Sequence, residues 1–161
     1  MNILKKIYAF ILRKIILKNT DDVRSVKMGS KNTIMVIPKD VDMPLGKYFN
    51  SSEFKCKCSY KSCTKTLIDI EHLDQLIALR EEIGPIKITS GFRCKKHNKD
   101  VGGIPTRQHT KGTATDIQSS RLKARLLADL IDEGYTFNGV GSYDTFTHID
   151  SRANKIARWR F

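Results

Sequence analysis

Two of the four histidines in this 161-residue chain stand at spacings that could hold a metal ion. The first lies in a His109-x6-Asp116 run that also contains Gly112, Thr113 and Ala114. A glycine there allows a sharp backbone turn, and the small neighbours leave room beside a bound ion. His148 follows some thirty residues later, within an apolar run that alternates like a strand. Two neutral imidazoles and one carboxylate suit a hydrolytic zinc, because three protein ligands leave one tetrahedral position open for water. Zinc brings the pKa of such a water toward ~7. A lone His-x6-Asp pair also arises by chance, and a loop histidine facing solvent is the plain alternative for His109.

The cysteines form a second candidate cluster. Three stand as Cys56-x-Cys58-x4-Cys63, and the fourth, Cys94, lies close before His109. They could make a closed structural zinc site, with His97 as a substitute ligand. They could instead make two disulfides in an oxidising compartment, joining distant segments because thiols one residue apart rarely bond. Ordinary buried thiols are the third reading. Residues 55–66 have little apolar content to fold themselves, which favours the metal.

These groups need elements to carry them. Residues 69–83 predict a helix, with Leu73, Leu76, Ile77 and Leu79 inward and Gly84-Pro85 as its stop. Ile86-Lys87-Ile88-Thr89 alternates as a strand running into Ser90-Gly91. Residues 94–98 begin a helix that Gly102-Gly103 and Pro105 break. Residues 120–133 predict another, with Leu122, Leu126, Leu127, Leu130 and Ile131 inward. Residues 139–143 and 146–150 predict two strands joined by a turn at Asp144-Thr145. Short strands and separate helices, without a strand–helix rhythm, predict an α+β fold with a small antiparallel sheet flanked by helices.

Upstream, Ile3, Ile7, Ile11 and Ile15 recur every fourth position, so residues 3–17 predict a helical extension. Residues 18–33 read as linker, and Ile34-Met35-Val36-Ile37 as a short strand ended by Pro38. The expected division is residues 1–44 as a basic N-terminal helix and linker, and residues 45–161 as the domain. The apolar run after Lys5-Lys6 stops at Arg13 after six residues, too short for a secretory core or a membrane span.

The chain is 40% hydrophobic and 29% charged, enough for one compact core. Its net charge of +12 favours polyanions such as nucleic acid, anionic lipid or envelope polymers. Residues 1–34 carry eight basic side chains against two aspartates, and so hold half of that excess. This asymmetry predicts a targeting or docking role for the segment, on a virion or envelope protein or by charge. A nucleic-acid partner is not expected, since the basic residues lack the interleaved aromatics of a stacking platform.

Taken in order, Ser90-Gly91-Phe92-Arg93-Cys94-x-x-His97-Asn98, Val101-Gly102-Gly103, Gln108-His109, Gly112-Thr113-Ala114-Thr115-Asp116 and Phe146-x-His148-x-Asp150 closely resemble the D-alanyl-D-alanine carboxypeptidase/hedgehog superfamily of zinc peptidases. The likeness is greatest to its small phage and bacterial subgroup and covers about residues 45–152. It implies His109, Asp116 and His148 as zinc ligands, and Arg93 as the arginine that holds a substrate carboxylate or carbonyl and steadies the oxyanion. A structural salt bridge is the plain alternative for Arg93. Arg107 stands where relatives often have a serine. Thr145 stands where many members carry the general base, leaving Asp150 or Asp144 for that role. Asp150 is favoured, with orientation of a histidine ligand as its alternative.

The implied function is zinc-dependent hydrolysis of peptide bonds in peptidoglycan stem peptides, as endopeptidase or carboxypeptidase. The implied setting is a phage lysin or a virion-associated wall hydrolase, held in the virion or in the host cytoplasm until release to the wall. A non-catalytic wall-binding module of the same fold is the rival from another class, and a nucleic-acid-binding zinc protein a second.

Overall fold

A computed structural model describes residues 24–28, 32–104, 107–153 and 155–161, with side chains from residue 33 onward. The helix expected over residues 3–17 lies outside them. Strand β1 (Arg24–Met28) pairs antiparallel with β2 (Asn32–Pro38), which pairs in turn with β5 (Lys65–Asp69). A two-stranded ribbon, β3 (Pro44–Leu45) and β4 (Phe49–Asn50), leads into the short helix α1 (Ser51–Phe54).

Two sequence expectations change here. The stretch expected as linker contributes β1. The boundary expected near residue 44 falls inside the packed body, because Met35 and Ile37 of β2 are fully buried in the main core. Their alternation, with partners on β5, is what binds them to it.

Helix α2 (Ile70–Ile83) starts where Asp69 caps it, accepting from the His72 amide at 2.8 Å, and ends at Gly84. Its Leu73, Leu76, Ile77 and Leu79 are completely buried, each contributing about 1.5–3 kcal/mol of apolar burial. They pack with Phe54, Ile88, Ile117, Leu127, Ile131 and Ile149 in one continuous core.

The main sheet has five strands in the order β10 (Ala157–Arg160), β8 (Gly139–Ser142), β9 (Thr147–Asp150), β7 (Ala114–Ser119), β6 (Ile86–Ser90). All pairings are antiparallel except β10 with β8, which is parallel. The α+β class holds, with a mixed sheet in place of a purely antiparallel one. The short helices α3 (Lys95–Asp100) and α4 (Gln108–Lys111) lie in the β6–β7 connection, and α5 (Ala124–Gly134) follows β7. Leu126, expected inward on α5, is 58% exposed; Leu127 and Ile131 carry the packing.

Candidate metal centre

Asp116 and His148 are register partners on the adjacent strands β7 and β9, so their side chains rise from the same face of the sheet. His109 arrives from α4. That helix ends at Gly112, whose left-handed φ of 77° turns the chain back into β7. A side chain at this position would also strike the Leu67 carbonyl, so glycine is needed on both counts.

Three donor atoms converge. His109 Nε2 lies 3.2 Å from Asp116 Oδ1, His148 Nδ1 lies 2.8 Å from the same oxygen, and the two nitrogens are 3.3 Å apart. Zinc–ligand bonds of about 2.0–2.1 Å in a tetrahedron set neighbouring donors about 3.3 Å apart. Two edges of the triangle match that length and the third, at 2.8 Å, is about half an ångström shorter, so the residues present fit a zinc ion with a small adjustment of His148 or Asp116.

The outer atoms of the ligands are also engaged. His109 Nδ1 donates to the Gly91 carbonyl at 2.7 Å, so the lone pair of Nε2 is turned toward the cluster. His148 Nε2 contacts Asp150 Oδ2 at 3.1 Å, which turns Nδ1 inward in the same way. Asp116 Oδ2 pairs with the Arg93 guanidinium, whose Nε donates to Ser90 Oγ at 2.8 Å. Oδ1 of Asp116 is thereby left for both histidines.

Electrostatics agree with a cation-seeking site. Burial opposes charge on Asp116, yet hydrogen bonds from His109 and His148 outweigh it and hold the carboxyl well below its ordinary range. Burial works against a charged His148 too, but Asp116 and Asp150 raise its pKa overall.

The two carboxylates expected to compete as general base occupy different surroundings. Asp150 is fully buried behind His148. It accepts from Arg152 through Nε at 2.7 Å, Nη2 at 2.6 Å and the backbone amide at 3.1 Å. Burial raises its pKa, but Arg152 and His148 bring it well below the ordinary carboxylate range. A general base needs reach to the proton and a pKa near the working pH. The surroundings of Asp150 are instead those of a carboxylate that orients a histidine. Asp144 is exposed in the β8–β9 turn, beside Gln118 and Lys123, and does not line the cleft that contains the triangle.

That cleft encloses about 860 Å³. Asp116 is its one carboxylate among the described residues, and Lys57, Arg93, Arg107 and Arg152 give it a basic rim. Trp159 of β10 walls one side, its ring 5.2 Å from that of His148 and its Nε1 donating to Tyr143 Oη at 3.1 Å. Gly141 lies directly beneath, and a side chain there would collide with the indole. Sequence reasoning missed Arg152 and Trp159. The signals were present: Arg152 stands two residues after Asp150, and Trp159 is the chain's single tryptophan.

The cysteines also meet. Cys56, Cys58, Cys63 and Cys94 are all free, with sulfurs within 4.8 Å of one another. The structure pairs none of the four as a disulfide. His97 does not join them; its side chain lines the cleft, while its backbone amide donates to Cys94 Sγ at 3.4 Å.

Comparison with known proteins bears on this geometry. No curated protein matches the chain. The family model described as Peptidase M15 matches residues 47–150, a span that includes the metal triangle, Arg93, the four cysteines and Asp150. The chain therefore belongs to the Peptidase M15 family of zinc-dependent peptidases.

Proposed function

We propose that this protein is a zinc peptidase that hydrolyses peptide bonds in bacterial peptidoglycan stem peptides. The observation that carries this reading is the donor triangle of His109 Nε2, Asp116 Oδ1 and His148 Nδ1 on the floor of a basic cleft. A closed structural site would take a fourth protein ligand; three leave a position open to the cleft.

Zinc held there supplies a Lewis acid for the scissile carbonyl and an acidified water as nucleophile. The chain's own groups do the rest. Arg93, fixed by Asp116 and Ser90, lends its guanidinium to charge developing on the carbonyl oxygen. The Asp150–Arg152 pair keeps His148 Nε2 protonated and its Nδ1 free to ligate. With Asp150 so engaged, His97 is the one cleft-lining imidazole outside the donor triangle among the described residues. It is assigned the proton that passes from the water to the leaving amine.

The basic rim suits stem peptides, which carry free carboxylates, and the net charge of +12 suits anionic envelope polymers. This supports a phage lysin or virion-borne hydrolase whose basic residues 1–34 bring it to the wall or to a particle protein. The test is digestion of purified sacculi by the zinc-loaded protein, with mass spectrometry of the released fragments. New termini at a stem-peptide bond are expected. Intact stems after digestion would contradict the proposal.

A further inference from the structure

The four cysteines lie outside the cleft, and the peptidase chemistry leaves them without a task. Cys56 and Cys63 are buried with Phe92 in a small apolar cluster of their own. They belong to a connection, residues 55–64, that has neither helix nor strand. Such a segment needs a cross-link to hold one shape, and the sulfurs offer one. Cys56 and Cys58 Sγ are 3.5 Å apart, and Cys58 and Cys94 Sγ 3.7 Å. Zinc–sulfur bonds of about 2.3 Å in a tetrahedron place sulfurs about 3.8 Å apart. Disulfide sulfurs stand at about 2.05 Å. The spacing is that of a metal cage.

The donors around the sulfurs suit thiolates. The Cys94 amide donates to Cys56 Sγ at 3.3 Å and the His97 amide to Cys94 Sγ at 3.4 Å. Lys39 Nζ reaches Cys58 Sγ at 3.6 Å and the Cys58 carbonyl at 2.6 Å. Four thiolates around one zinc ion retain negative charge, which this ammonium offsets.

What the cage would hold is the turn at residues 91–94. On one side the turn is tied to the cysteine cluster by Cys94 and Phe92, and to α1 by the Phe92 amide donating to the Phe54 carbonyl at 2.7 Å. On the other side it supplies the Gly91 carbonyl to His109 Nδ1, the Arg93 amide to the His109 carbonyl at 3.2 Å, and the Arg93 guanidinium to Asp116. We propose that Cys56, Cys58, Cys63 and Cys94 bind a second zinc ion in a closed tetrathiolate site, which positions the His109 and Asp116 ligands of the cleft through the turn at residues 91–94.

The full-length His109→Ala variant tests this without relying on hydrolysis. It should retain about one tightly bound zinc per chain. Exchange of that zinc for cobalt(II) should give intense visible bands of tetrahedral cobalt with a sulfur-to-cobalt charge-transfer band in the near ultraviolet. A His109→Ala protein without zinc, cobalt spectra without sulfur charge transfer, or cysteines found as disulfides under non-reducing mass spectrometry would each overturn the proposal. Cys58→Ser, at a half-buried position, should abolish the charge-transfer band and weaken zinc binding by the remaining site about tenfold. Should that variant fail to fold, the His109→Ala spectrum decides alone. Because the band reports sulfur ligation only, its outcome is separable from that of the peptidase reading.

Discussion

Asp150 stands behind His148, not beside the space where substrate would lie. Its Oδ2 accepts from His148 Nε2 at 3.1 Å, and the Arg152 guanidinium grips both carboxylate oxygens. Gly139 makes room for this arrangement, since a side chain there would meet the carboxylate. The imidazole is thus set by a partner pair before any metal arrives.

Asp150→Asn discriminates orientation from proton transfer. The amide cannot sustain the pair with Arg152, so zinc affinity of the cleft site should fall by about 10–100-fold. Excess zinc should then restore most of the hydrolysis. A variant that keeps its zinc at wild-type affinity and still loses about a hundredfold or more in rate would return Asp150 to the role of general base.

His72 makes a pH prediction. It is fully buried on α2, with Nδ1 2.9 Å from Ser151 Oγ and Nε2 3.0 Å from Thr115 Oγ1. Burial brings its pKa down to about 3. An unfolded histidine titrates near 6.5, so between these values the unfolded chain binds a proton that the folded chain refuses. His72 therefore removes stability as pH falls from about 6.5 toward 3, by about 1.4 kcal/mol per pH unit, and has no such effect above 6.5. Denaturant unfolding of wild type and His72→Gln at pH 7 and 4.5 should show wild type losing more on acidification. Equal losses would mean that His72 is not held neutral.

Much of the site was legible because its residues are adjacent to strong local signals. Gly112 between His109 and Asp116, and the alternation around His148, mark a turn and two strands, and these carry the ligands. The α2 stripe was equally plain. β1 and β10 were not, because each is short and rich in basic or polar residues, and β10 is recruited by β8, a strand that is not its neighbour in sequence. The part played by Asp150 was hidden for a related reason. Strand spacing puts its side chain on the face of His148, but only Arg152, beyond the strand, decides what the carboxylate does.

The strand pairing also changes how the basic N-terminal segment should be tested. Removing residues 1–34 would take β1 and part of β2, including buried Ile34. Removing residues 1–22 spares them. That truncation should leave hydrolysis of soluble wall fragments nearly unchanged and weaken action on intact walls or incorporation into a particle. Raising salt should mimic the truncation if attachment is electrostatic, since exposed charges are screened beyond roughly 8–10 Å at physiological ionic strength. Equal activity of both forms on intact walls would remove any positioning role for the segment.

The most direct test combines two readings on the same preparations of wild type and His109→Ala: zinc content and release of fragments from sacculi. Loss of one zinc equivalent together with loss of all release, in a variant that still folds, is the predicted result. Unchanged zinc content, or continued release without the imidazole, would contradict a hydrolytic zinc held by His109, Asp116 and His148.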